Sequence, residues 1–146
     1  MAFEQGPYIQ FAAFCEKVLT EQDGVVSLIR VVDRVTHTRI DPNAPESLPP
    51  FDYQLLAAIS LKAGRVSGRH TLKIERQLPS TQVERGAATE ITVHLEGENR
   101  GANVVVEVAA RYEMEGLYWY NVYFDNELIT RMPFEVRYAR LTSPVR

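Results

Sequence analysis

The sequence holds one cysteine, Cys15. A lone thiol cannot close a disulfide within the chain, and it excludes a cysteine-rich zinc module as well. Basic residues are not in excess: 16 Lys+Arg face 19 Asp+Glu, for a formal charge of −3. A general nucleic-acid binder carries a basic surplus, so that class is set aside. No apolar run approaches the roughly 20 residues of a membrane-spanning helix. The opening Met1-Ala2-Phe3-Glu4 has an acid where a secretory signal has a base, and no long apolar centre follows. The expectation is a cytoplasmic protein with Cys15 reduced. Glycine-rich phosphate loops, a Gly-x-Ser-x-Gly elbow and a His-Glu-x-x-His motif are also missing.

What remains is enough for one packed domain. The chain has 146 residues, 45% hydrophobic and 24% charged, and a chain of this size buries roughly two-thirds of its unfolded surface. The apolar residues recur with period 2, the strand signature. From Ile9 to Leu19, apolar residues including Phe11, Ala13 and Cys15 alternate with Gln10 and Glu16. A helix over Pro7 to Thr20 is the weaker alternative, because Phe14 and Val18 fall on the wrong face. Asp23-Gly24 marks a hairpin before a second strand over Val25 to Thr36. Residues 38–50 carry Pro42, Pro45, Pro49 and Pro50, which cannot donate to a ladder, and read as a loop.

Cleaner strands follow. Phe51, Tyr53, Leu55, Ala57, Ile59 and Leu61 share one face; Leu72, Ile74 and Leu78 the next; then Thr89, Ile91, Val93 and Leu95; then Val104, Val106, Val108 and Ala110; then Tyr118, Tyr120, Val122 and Phe124. Asp125-Asn126 suits a two-residue turn, since both residue types tolerate positive φ. In the last strand the parity changes between Ile129 and Phe134, which predicts a bulge near Met132-Pro133 and an edge position. The reading is an all-β antiparallel sandwich of about eight strands, immunoglobulin-like or C2-like. It occupies residues 1–140, and 141–146 form a frayed tail.

Chemistry is sparse. His37, His70 and His94 lack metal-ligand spacing to one another and read as surface histidines. Cys15 reads as a buried, inert thiol. The aspartates are scattered and the close acidic pairs Glu96/Glu98 and Glu113/Glu115 read as solvated loop charge, so neither calcium nor any other cofactor is expected. Asp33 shares parity with Ile29, Val31 and Val35; it is a candidate buried charge, either paired with a distant arginine or set where water reaches it. If Tyr118, Tyr120, Val122 and Phe124 face inward, Trp119 and Tyr123 face outward, and a tight turn sets Leu128 opposite Tyr123. Trp119, Tyr123 and Leu128 are the candidate interaction surface, unless the proline-rich loop covers them.

The run Phe14-Cys15-Glu16-Lys17-Val18-Leu19, with Glu21, Asp23-Gly24-Val25, Ser27-Leu28-Ile29-Arg30 and Asp33, resembles a bacterial family of small uncharacterised β-sandwich proteins, a domain of unknown function. The closing Gly116-x-Tyr118-x-Tyr120-x-Val122-x-Phe124-Asp125 and Pro133-Phe134-x-Val136 are similar to that family's last hairpin, with Asn126 where glycine is commoner. The resemblance implies a fold and no activity. The functional expectation is a non-catalytic module for a protein partner or a second copy of itself. A sandwich binding a carbohydrate or lipid headgroup is the alternative. An enzyme would need two or more of Asp33, His37, Asp41, His70 and the Glu pairs to converge.

Overall fold

The computed structural model describes residues 2–84 and 88–141. A short helix α1 (Ala2–Gln5) leads into nine strands: β1 (Tyr8–Thr20), β2 (Val26–Val31), β3 (Arg34–Ile40), β4 (Phe51–Lys62), β5 (Ser67–Gln77), β6 (Thr89–Glu96), β7 (Gly101–Tyr112), β8 (Gly116–Phe124) and β9 (Glu127–Leu141). They form two sheets, ordered β2-β1-β4-β7 and β3-β9-β8-β5-β6. The inward faces meet in one aromatic-rich core. Phe14 sits edge-on to Tyr120 with ring centroids 4.9 Å apart, and edge-on to Phe134 at 5.7 Å. Such contacts add about 1 kcal/mol each beyond the apolar area they bury.

The strand segment expected over Val25–Thr36 is two strands in two sheets. β2 pairs with β1, and after Val32-Asp33 the chain crosses to β3, which pairs in parallel with β9. The sandwich is therefore all-β but not wholly antiparallel. The crossing also corrects Asp33. Parity cannot be carried across a change of sheet, and Asp33 is exposed at the corner, its carbonyl accepting the Glu135 N–H at 2.9 Å. Ile29 and Val31, whose parity it shares, point out of the sandwich.

Two bulges explain the other differences. In β1 the register against β4 shifts between Ile9 and Phe11. The core consequently takes Ile9, Ala12 and Phe14, and leaves Phe11, Ala13 and Cys15 on the outer face of the sheet. In β9 the register shifts between the pairs Val122–Thr130 and Tyr123–Leu128, so the additional residue is Ile129, not one at Met132-Pro133. β9 is an interior strand. Pro133 is tolerated because β3 pairs only from Glu135 onward, leaving the earlier half of β9 with a free edge. Leu141, expected in the tail, pairs with Ile40; residues 142–146 lie outside the described residues.

Residues 41–50 cap one end. Leu48 enters the core, the Tyr138 hydroxyl donates to the Pro45 carbonyl at 2.8 Å, and His37 stacks on Phe51 at 4.6 Å. At the other end α1 crosses the β4–β5 turn so closely that a Cβ on Gly64 would lie 2.5 Å from the Gln5 carbonyl oxygen. Gly64 also has a φ of +61°, so glycine is required twice over.

Candidate functional site

The outer face of the five-stranded sheet carries the residues singled out in β8. Asp125 and Asn126 both adopt positive φ (47° and 68°), closing the two-residue turn that sets Tyr123 against Leu128. Strand pairing aligns three rows. Gln77, Trp119 and Pro133 form one, Glu75, Asn121 and Arg131 the second, and Lys73, Tyr123 and Leu128 the third.

Polar side chains hold the aromatics in place. The Arg131 guanidinium lies 4.2 Å from the Trp119 ring centre, and Lys73 Nζ lies 5.0 Å from that of Tyr123. Each contact is a cation–π attraction. Arg131 Nε donates to Asn121 Oδ1 at 2.9 Å, and Asn121 Nδ2 donates to Gln77 Oε1 at 3.3 Å. Asn121 is only 5% exposed, so this bonding compensates its desolvation. Trp119 and Tyr123 are half-buried, and Leu128 is 48% exposed. The loop 41–50 packs at the end of the sandwich instead of over this face. The outer face is thus a preorganised strip of aromatic and cationic side chains with one acid, Glu75, 3.8 Å from Lys73, a composition suited to contact.

Two further constellations escaped the sequence reading. His70 Nδ1 lies 2.5 Å from Asp125 Oδ2, and Nε2 lies 2.8 Å from the Ser67 carbonyl oxygen. Asp125 Oδ1 also accepts the Thr71 N–H at 3.0 Å. This cluster borders a recess of about 400 Å³ shared with Gly6, Pro7, Val66 and Ile129. Donating a hydrogen bond to Asp125 raises the pKa of His70, and the Thr71 N–H and His70 lower that of Asp125. With both ring nitrogens directed at acceptors, His70 has no free lone pair for proton abstraction.

Arg76 is the second constellation. It shares the inward parity of Leu72 and Ile74 and is buried. Nε donates to Glu84 Oε2 at 2.6 Å and Nη1 to the Arg111 carbonyl at 3.1 Å. The guanidinium lies over Tyr112 and Tyr118, at 5.2 and 5.4 Å from the ring centres. The Tyr112 and Tyr120 hydroxyls share a hydrogen bond of 2.6 Å, and burial raises the pKa of both phenols. The parity of Arg76 was the available signal.

The remaining candidates do not assemble. His94 is exposed, and Asp41 accepts the Asn43 N–H of its own loop. Among the described residues no group of three His, Cys, Asp or Glu is placed to hold a metal, and no helix is long and apolar enough to cross a membrane. Cys15 is fully buried, and burial raises its pKa.

No protein-family model and no curated protein matches the chain. Among solved structures it is similar to an immunoglobulin-like protein from Pseudomonas aeruginosa, at 12% identity and a TM-score of 0.40 over 90% of this chain and 97% of that one. A β-glucosidase from Listeria innocua in complex with glucose gives 14% identity and a TM-score of 0.48 over 90% of this chain and 17% of that chain. The Pseudomonas fluorescens alkylpurine DNA glycosylase AlkC, bound to DNA with an abasic site analog, gives 7% and 0.47 over 86% and 30%. The chain thus spans less than a third of either enzyme.

Proposed function

We propose that this domain is a non-catalytic protein–protein interaction module that engages a protein partner through the outer face of the five-stranded sheet. One observation carries the reading: Trp119 and Tyr123 project from the outside of β8, held by Arg131 and Lys73, with Leu128 exposed beside them. Trp, Tyr and Arg are the residue types that dominate binding energy at protein interfaces. A rigid aromatic surface loses little side-chain entropy when it is covered. The carbohydrate or lipid-headgroup alternative has less support, because cations already engage the Trp119 and Tyr123 rings that would stack on a sugar. A bacterial, cytoplasmic setting belongs to the same proposal.

The test is affinity capture with the wild-type protein and with W119A/Y123A, followed by mass spectrometry. Proteins retained by the wild type and lost from a variant of unchanged circular dichroism support the reading. An identical set of captured proteins overturns it.

A further inference from the structure

The outer face of the four-stranded sheet is more apolar than the face just described. Strand pairing places Cys15 between Val31 and Leu56, Ala13 beside Ala58, and Ala58 beside Val105. Phe11 stands beside Ser60, and Ile29 beside Lys17. Val31 is 62% exposed, Val105 46% and Ile29 41%. Between these taller side chains, Cys15 and Ala58 are occluded by their neighbours, which leaves a flat apolar floor. From Phe11 to Leu19, across four strands, the face measures about 27 Å by about 19 Å, the footprint of a modest specific interface. Polar residues such as Ser60 and Lys17 interrupt this face, and the exposed Val31, Val105 and Ile29 side chains give it the apolar area that marks a contact site.

Charge placement indicates what covers it. Lys17 on β1 stands opposite Ile29, one pair beyond Cys15, and Glu107 on edge strand β7 stands opposite Leu56. Both are exposed, and among the described residues neither joins an ion pair within its own chain. One face therefore carries apolar side chains together with an unpaired cation and an unpaired anion two strands apart. Such a surface is complementary to itself. In a two-fold, face-to-face dimer every contact occurs twice, so Lys17 of each copy reaches Glu107 of the other.

We propose that the chain self-associates as a two-fold dimer through this sheet face, with Val31, Leu56, Ala58 and Val105 in the contact and reciprocal Lys17–Glu107 pairs among them. The dimer leaves the Trp119 face of each copy pointing away from the interface, so the proposal does not depend on the partner-binding reading.

Sedimentation velocity across a dilution series of the whole chain tests it, with thermal unfolding as the check on folding. The wild type is expected to show a concentration-dependent monomer–dimer equilibrium. V105E buries a carboxylate against apolar surface and raises the dimer dissociation constant about 10-fold or more. V31K, at the most exposed of these positions, does the same should V105E fail to fold. K17E and E107K each place like charges together and weaken the dimer several-fold, whereas the exchanged pair K17E/E107K restores it to within about 3-fold of wild type. A wild type that stays monomeric at every concentration overturns the proposal. So does a dimer unaffected by V105E and V31K, or one abolished by W119A/Y123A.

Discussion

His70 Nδ1 lies 2.5 Å from Asp125 Oδ2 while its Nε2 lies 2.8 Å from the Ser67 carbonyl oxygen. Both partners only accept, so both ring nitrogens must donate, and that defines the imidazolium. The cluster ties the start of β5 to the β8–β9 turn. The His70 pKa is raised above its ordinary 6.5, so its contribution is complete below 6.5 and lost as pH climbs through the raised folded value. The Asp125 pKa is lowered below 3.8, so its contribution is complete above 3.8 and lost as pH falls through the depressed folded value. Together they favour the fold most between those two ordinary values. In thermal melts, H70Q is expected to flatten the decline in melting temperature above pH 6.5 relative to wild type. An NMR titration placing His70 at or below 6.5 would contradict the assignment.

Arg76 should be the costliest polar residue to remove. Its guanidinium is held by Glu84, the Arg111 carbonyl and two phenol rings. R76A leaves a cavity and unpaired buried groups, for a loss of about 3 kcal/mol. R76M keeps much of the volume and should cost about half as much, because Glu84 is 35% exposed and can be rehydrated. Urea unfolding of the two variants measures the difference. Equal losses would assign the role to the hydrogen bonds and charge, with packing contributing nothing.

Trp119 is the sole tryptophan, so its emission reports directly on the candidate interaction surface. Replacing the guanidinium above it, in R131Q, should increase quenching by acrylamide and shift emission to the red. The stability change should stay within about 1 kcal/mol, as befits a partly exposed cation–π contact. An unchanged spectrum would mean that Arg131 does not shield the ring in solution.

The alternation of Leu55, Ala57, Ile59 and Leu61, and that of Tyr118, Tyr120, Val122 and Phe124, was legible in the sequence because those strands are regular and face one core. The outward placement of Trp119 and Tyr123 followed from the same period. Cys15 was correctly expected to be buried, but on the outer side of its sheet, because a bulge reverses parity and period alone cannot locate a bulge. The inward parity of Asp33 fails for a related reason, though water does reach it as one of its two expected placements had it: an apolar run can pass from one sheet to the other without a proline or glycine to mark the corner. The meeting of His70 with Asp125 depends on how β5 pairs with β8, and no local pattern encodes that pairing. Arg76 was legible, and its inward parity went unread beside Leu72 and Ile74.

The parallel pairing of β3 with β9 has a consequence for the order of assembly. Val35 meets Val136, and every partner of β3 in its sheet comes from β9. During synthesis β4 to β8 emerge while β3 still presents a bare edge, and an unpaired edge invites pairing with another chain. β9 must then enter between β3 and β8, joining early and late parts of the chain in one step. This high-separation closure is entropically expensive, so the five-stranded sheet should be the slower half of the domain to form.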